Sequence, residues 1–294
     1  MRTAALVLTA ALAALTAAPA NADAPPPGEE IIVQGSRPAQ KQIRDFVKVL
    51  TDTPSWRQIG RFHSAVCPAA MGLPPAQNAR IATRMRQVAA AAGIPVGKAS
   101  CAPNAFVIVA PDKKWAIDEL SRRFPAFVEG VSDDQLRKLA ADPSPAAAWQ
   151  VKSLRSADGE LAEKPAGADY YRIEGANSAS RIRAASMPTF VASLVVIERR
   201  SVGGLTVTQL ADYAAMRTFA DTNPARLASS AAPSILPILT LPPEALLPET
   251  LTHWDLAFLK ALYSTSNTYY AGFQRGDMEQ VVKKELEKAG KQRQ

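Results

Sequence analysis

TFVASLVVIE, residues 189–198, carries the clearest β-strand signal in the chain. Its large apolar residues, Val191 and the run 194–197, are mostly β-branched, which favours an extended backbone over a helix. Thr-Val-Thr-Gln at 206–209 follows, a capping box that marks the first turn of a helix. We therefore predict a strand over 189–198 and a helix from Thr206 to about Ala220.

A second alternation of strand and helix lies upstream of this segment. Residues 57–66 alternate around apolar positions and predict a strand that leads to Cys67. Pro74-Pro75 opens a helix that runs to Ala92, where Gly93 ends it. Residues 104–110, with the core FVIV, predict a buried strand. This part of the chain is expected to form a strand-helix-strand unit.

Helix signals occupy much of the remaining sequence. Helical spacing or N-cap residues predict helices that begin near Ile43, Asp112, Ser132, Thr252 and Asp277. Residues 224–248 are punctuated by prolines and are expected to form a loop. The fold class that follows is mixed α+β, with an N-terminal strand-helix-strand unit and a helix-rich C-terminal part.

The first residues are typical of a secretory signal peptide. Arg2 supplies a positive charge, residues 4–18 are small or apolar, and Ala20-Asn21-Ala22 fits the small-x-small cleavage rule. The apolar run is too short to span a bilayer, which argues against a retained anchor. We expect cleavage after Ala22, an exported chain in the periplasm or outside the cell, and no transmembrane segment after cleavage.

The two cysteines, Cys67 and Cys101, are expected to form a disulfide. Export places them in an oxidising compartment, where a pair of cysteines is normally bridged. A metal-binding or redox pair would instead favour a CxxC spacing or neighbouring histidines, and the sequence has neither.

The organisation predicted from these signals has five segments. In chain order they are the signal peptide (1–22), a flexible N-terminal arm (23–40), an α/β domain with the Cys67–Cys101 disulfide (41–155), a loop or boundary rich in small and charged residues (156–182), and a strand followed by helices (183–294).

The charge pattern argues against nucleic acid as a partner. Loss of Arg2 with the signal peptide takes the 34 basic residues to 33, against 27 acidic ones, a formal charge of +6. The basic residues are spread along the chain and are not interleaved with the aromatic side chains that a base-stacking surface needs.

Few residues in this sequence are typical of catalysis. The only histidines are His63 and His253, so the HExxH pair of a zinc peptidase is absent, as are GxSxG, Walker and GxGxxG motifs. We expect no metal site and no cofactor. The catalytic candidates that remain are Asp212, on the helix after the 189–198 strand, and His253 and Asp255, in the first turn of a later helix.

The C-terminal part resembles the ending of secreted zincin-like proteins of bacteria. The resemblance rests on residues 195–198, 205–217, 234–236 and 251–263, the last of which reads LTHWDLAFLKALY. In that family a strand, a zinc-binding helix, a serine-led loop and a further helix follow in this order. The resemblance implies a degenerate zincin-like metallopeptidase scaffold.

The residues at the family's zinc-site positions are not metal ligands. The resemblance places its first zinc ligand near Ala211, its catalytic glutamate near Asp212 and its second ligand near Ala215. It therefore implies a scaffold that lacks its metal. The chain as a whole also resembles secreted proteins of sphingomonad-type bacteria that have no assigned activity.

A short N-terminal segment resembles another element of the bacterial envelope. IIVQGSR, from Ile31 to Arg37, is similar to the TonB box of outer-membrane receptors. Such a box pairs as an extended strand with the sheet edge of its periplasmic partner. The resemblance implies a contact with TonB, and the alternative is an ordinary N-terminal arm.

Three functional hypotheses follow from the sequence. The favoured one is a non-catalytic envelope protein that binds a protein, peptide or cell-surface ligand through a cleft beside the 205–220 helix. The second is a hydrolase, acting on peptides or cell wall, whose site would use Asp212, His253 and Asp255. The third is a structural or assembly factor without a small-molecule ligand.

Overall fold

The computed structural model describes residues 39–291, except 166, 169, 174–178 and 243–244. The predicted signal peptide (1–22), the TonB-box-like segment and residues 23–38 of the predicted arm lie outside the described residues. The described residues fall within one of the two units into which the chain divides, Ser36–Gln294.

Seven helices and five strands are formed by the described residues. The helices are α1 (Gln40–Leu50), α2 (Pro75–Ala91), α3 (Lys113–Arg123), α4 (Asp133–Ala141), α5 (Val207–Phe219), α6 (His253–Ser264) and α7 (Ala271–Lys291). The strands are β1 (Arg61–Phe62), β2 (Pro68–Met71), β3 (Ala105–Ala110), β4 (Ala146–Ser156) and β5 (Ser186–Glu198). Among the described residues, no helix combines the length and the apolar content that a membrane span requires.

Strand β5 contains the predicted 189–198 strand and is the central strand of the sheet. It pairs antiparallel with β4 over nearly its whole length. On its other edge it pairs in parallel with β1, through Thr189 and Phe190, and with β3, through residues 193–198. Strand β2 then pairs in parallel with β3. Residues from both 41–155 and 183–294 therefore contribute strands to one mixed sheet.

Helices cover both faces of this sheet. The side chains of β3 and β5 alternate between the faces. Val107 and Val195 belong to the larger of two cores, which α1, α2, α5, α6 and α7 complete. Phe106 and Leu194 belong to the smaller core, which α3 and α4 complete. The mixed α+β class predicted from the sequence is confirmed.

The capping signals in the sequence located the starts of α3, α4, α5 and α6 correctly, whereas α7 begins at Ala271, six residues before the predicted start near Asp277. The capping boxes led by Ser132, Thr206 and Thr252 are formed at the starts of α4, α5 and α6. The Asp112 carboxylate accepts a hydrogen bond from the backbone N–H of Trp115 at the start of α3. Gly93, with φ of +75°, follows the last turn of α2.

The predicted disulfide is present. Cys67 and Cys101 are bonded with an S–S distance of 2.06 Å. The bond ties the residue before β2 to the loop that leads into β3, across 34 positions of sequence. By the chain-entropy estimate, closing a loop of this length stabilises the fold by about 3–4 kcal/mol.

The prediction of a strand over 57–66 is wrong in position. Only Arg61 and Phe62 of that segment form a strand, and the strand-helix-strand unit is β2–α2–β3. Strand β2 reads Pro-Ala-Ala-Met, which has no β-branched residue and gives no strand signal in sequence. It is extended because its backbone pairs with β3, a contact that residue type does not reveal.

Strand β4 and one detail of β5 also differ from the sequence prediction. β4 begins with three alanines at 146–148 and was not predicted, yet it pairs with β5 along eleven residues. Val191 was placed among the apolar core of its strand, but it is 42% exposed. Lys152 pairs with Phe190 and Val151 with Ala192, so Val191 is the extra residue of a β-bulge.

We predict that Gly72→Ala destabilises the fold more than Gly93→Ala. Both glycines have positive φ, so both substitutions carry a backbone cost of about 1–2 kcal/mol. A Cβ on Gly72 would lie 1.9 Å from the Val109 carbonyl oxygen, whereas a Cβ on Gly93 would meet nothing within 4 Å. Overpacking should add about 1–3 kcal/mol for Gly72→Ala alone. Urea denaturation measures both losses, and equal losses would contradict the crowding at Gly72.

Candidate functional site

The carboxylate of Asp212 is fully buried, and both of its oxygens accept hydrogen bonds. Arg84 of α2 donates from Nε to Oδ1 at 2.7 Å and from Nη2 to Oδ2 at 3.1 Å. Oδ2 also accepts from Thr250 Oγ1 at 2.7 Å and from the backbone N–H of Leu251 at 2.6 Å. The hydrogen bond from Arg84 also raises the pKa of that arginine. Asp212 therefore joins α2, α5 and the segment before α6.

The carboxylate of Asp255 is bound in the same way. Oδ1 accepts from Ser234 Oγ at 2.6 Å, and Oδ2 accepts from the Ile235 N–H at 2.8 Å and from Thr252 Oγ1 at 2.8 Å. Complete burial raises the pKa of Asp255 to about 6, although these hydrogen bonds oppose the shift. Because this pKa lies above its unfolded value, the contribution of Asp255 to stability is full below about pH 4 and is lost as pH rises through 6.

His253 does not complete a catalytic arrangement with these carboxylates. Its side chain is exposed in the first turn of α6. The segment 250–252 lies between the two carboxylates, because Thr250 and Leu251 bind Asp212 while Thr252 binds Asp255. The structure thus brings Asp212 and Asp255 to the same segment, but it uses each as an acceptor for its own set of donors.

The second histidine, His63, is half-buried beyond β1. Burial is the main cause that lowers its pKa to about 4, and the charges of Arg61 and Arg155 add to the effect. Its Nδ1 lies 3.4 Å from the Asn267 side-chain nitrogen. In the part of the chain that the structure describes, no group of three or more His, Cys, Asp and Glu side chains is arranged to hold a metal ion.

The positions that the zincin resemblance assigns to zinc ligands are part of the core. Ala211 and Ala215 have no exposed surface and belong to the larger core. Asp212, at the position of the catalytic glutamate, is bound to Arg84. None of these three described residues therefore has an exposed side chain.

A cavity of about 500 Å³ lies at the C-terminal end of α5, away from the candidates named by the sequence. We call it the 50–60 cleft, because residues 50–54 and 56–60 form much of its wall. The other lining residues are Lys152, Leu154, Pro188, Ala220, Asp221, Phe258, Leu262 and Tyr270. They come from β4, β5, α6 and the residues next to α5 and α7, so no local motif marked the cleft in the sequence.

The 50–60 cleft is lined by both apolar and polar residues. Leu154 and Pro188 are apolar lining residues with exposed surface, whereas Leu50 and Ile59 are buried. At the rim, Trp56 is 68% exposed, and the Arg57 guanidinium carbon lies 4.9 Å from the centre of its ring. A lining of apolar residues with some polar groups is typical of small-molecule and peptide sites.

Helix α7 holds the wall of the cleft in place. Arg275 donates to Thr51 Oγ1 at 3.0 Å, to the Thr51 carbonyl at 2.6 Å and to the Thr53 carbonyl. Burial of this guanidinium lowers its pKa. The Ala271 N–H donates to the Arg57 carbonyl at 2.7 Å. The segment is thus fixed by hydrogen bonds to its backbone before any ligand arrives.

No protein family, curated protein or solved structure matches this chain. The likeness to zincin-like proteins and to secreted sphingomonad proteins therefore stays a prediction from sequence. The geometry of the described residues is the basis for a functional proposal.

We predict that Asp212→Ala lowers the free energy of unfolding by about 3 kcal/mol. The substitution removes the partner of Arg84 and leaves the donors of Thr250 and Leu251 unpaired. The matched control is Asp118→Ala, which breaks the Lys114–Asp118 pair and should cost far less, because that pair is exposed to solvent. Urea denaturation separates the two. Equal stability of the Asp212→Ala and parent proteins would show that this carboxylate has no architectural role.

We predict that the imidazole of His63 titrates near pH 4 in the folded protein. The NMR resonances of the two histidines, assigned with a His253→Gln variant, report this midpoint directly. A midpoint close to 6.5 would contradict the burial and the effect of Arg61 and Arg155.

The same shift predicts how stability depends on pH. Because the folded pKa lies below the unfolded one, His63 contributes stability that is present above about pH 6.5 and is lost as pH falls through 4. His63→Gln should therefore change the pH dependence of unfolding between these values. As pH rises over part of this range, the contribution of Asp255 to stability falls while that of His63 increases. The variant is therefore compared with the parent protein at each pH.

Proposed function

We propose that this chain is an exported, periplasmic or secreted binding protein that takes an apolar ligand into the 50–60 cleft and does not turn it over. The observation that carries the proposal is the contrast between two regions. Asp212 and Asp255 are buried under protein donors, whereas a cavity of about 500 Å³ is formed where none of the catalytic candidates lies.

The hydrogen bonds of the two carboxylates support a non-catalytic role. A general base must reach the proton of a substrate or a water molecule. Asp212 accepts four hydrogen bonds from Arg84, Thr250 and Leu251, and it has no exposed surface. Use of Asp212 by a hydrolase would require these donors to leave, at the cost of an uncompensated buried charge.

The position of the cleft supports a binding role close to the one expected from sequence. Ala220 and Asp221, which follow α5, line the cleft, so it adjoins the 205–220 helix at its C-terminal end. The volume is within the range of about 300–1,000 Å³ that ligand pockets occupy. The segment from Thr51 is already fixed by Arg275, so little ordering is needed when a ligand binds.

Other features are compatible with export. The bonded pair Cys67–Cys101 suits an oxidising compartment. On this proposal the scaffold is a zincin-like one whose helix positions Ala211 and Ala215 pack the core instead of binding a metal. The signal peptide before Ala22 is the remaining part of the proposal, and N-terminal sequencing of the mature protein tests it.

We predict that the neutral apolar dye N-phenyl-1-naphthylamine binds the folded protein at one site. Leu154→Trp fills the cleft with a larger side chain and should weaken binding at least about tenfold. The control is Leu161→Trp, which places the same residue at a position that is 54% exposed and outside the cleft lining. Fluorescence titration measures both affinities, and circular dichroism checks that both variants are folded.

Two outcomes would overturn the proposed function. One is equal dye binding by the Leu154→Trp and parent proteins, which would place the site elsewhere. The other is cleavage of peptides or peptidoglycan fragments by the purified protein, lost in a folded Asp212→Asn variant, which would establish the hydrolase alternative.

A further inference from the structure

We propose that the 50–60 cleft recognises an apolar group that carries a single carboxylate, and that Arg57 binds this carboxylate. The inference rests on the proposed binding function and names the class of ligand. It is argued from the charges of the residues that line the cleft, the position of Arg57 and the apolar residues of the lining.

The charged residues that line the cleft leave one positive charge without a counter-charge. Lys152 Nζ lies 2.6 Å from Asp221 Oδ2, so these two neutralise each other. Asp52 is paired with Arg226, which lies outside the lining. Arg57 has no carboxylate within ion-pair distance among residues 39–291 as far as they are described. An anionic ligand supplies the charge that Arg57 lacks.

Arg57 is held in an orientation that suits a carboxylate. Its backbone is fixed on both sides, because its N–H donates to the Pro54 carbonyl at 2.9 Å and its carbonyl accepts from Ala271 at 2.7 Å. Its guanidinium lies over the ring of Trp56 at 4.9 Å. A guanidinium near an aromatic ring keeps N–H groups for other partners, and the fork of an arginine matches the two oxygens of a carboxylate.

The apolar residues of the cleft indicate that the rest of the ligand is apolar. Among the apolar lining residues, Trp56, Leu154 and Pro188 have exposed surface, whereas Leu50, Phe258 and Leu262 have almost none. Burial of an apolar group there gains about 25 cal/mol for each Å² removed from water. A ligand with an apolar body and one terminal carboxylate would contact the apolar lining and pair with Arg57. A cationic amphiphile would be repelled by the positive charge of Arg57.

Two sources offer this chemistry, a free medium-chain carboxylic acid and the C-terminus of an apolar peptide. Isothermal titration calorimetry with octanoate and N-acetyl-leucyl-leucine represents them. Octanamide and N-acetyl-leucyl-leucinamide are the neutral counterparts, and octylammonium is the cationic one. The acid that binds more tightly identifies the source.

We predict that each binding acid is preferred to its neutral amide by about tenfold, as one charge-assisted contact gives, and that octylammonium binds more weakly than octanamide. Arg57→Gln should abolish the preference while affinity for the amides is kept. Arg123→Gln, which removes an exposed arginine of α3 outside the cleft, should keep the preference. Raising the salt concentration should reduce the preference of the parent protein, because the rim is exposed to solvent.

The outcomes separate this inference from the proposed function. If acids and amides bind equally, or if Arg57→Gln keeps the preference for acids, the assignment of Arg57 is wrong and the cleft remains a binding site for apolar ligands. If none of the five probes binds and Leu154→Trp also leaves dye binding unchanged, the binding function itself fails.

Discussion

The pairing of β5 on both of its edges is the constraint on which the rest of the structure depends. β4 occupies one edge, while β1 and β3 share the other. Helices then cover both faces, so the strand is surrounded on every side along its C-terminal half. A strand in this position must be apolar on both faces. That requirement accounts for the unbroken run of Leu194 to Ile197, where every side chain has no exposed surface.

The buried carboxylates illustrate how a residue that is a catalytic candidate in sequence becomes an architectural one in the fold. Asp212 and Asp255 lie on two helices that pack in the same core, and both bind the segment at 250–252. Each charge is stabilised by nearby donors instead of by water. The helices and the intervening segment are thereby held in one arrangement.

The sequence predicted those parts of the fold whose causes are local. Capping boxes at Ser132, Thr206 and Thr252 fix helix starts through residues three positions apart, and such signals can be read without the fold. Strands β2 and β4 were missed because their alanine-rich segments are extended only through pairing with distant strands. Local propensity does not carry that information.

The cleft was missed for the same reason, since its lining residues extend from Leu50 to Tyr270, 220 positions apart. By contrast, the search for catalytic motifs directed attention to Asp212 and Asp255, whose hydrogen-bond partners are distant in sequence. Whether a carboxylate is available depends on those partners, and only the fold reveals them.

The hydrogen bonds from Arg275 to Thr51 have a consequence for folding. The two residues are 224 positions apart, so the wall of the cleft is fixed by a helix that lies far from it in sequence. Contacts of such long separation form late, after the elements between them have docked. Because α7 also completes the larger core, the wall of the cleft takes its final form only once this helix has packed.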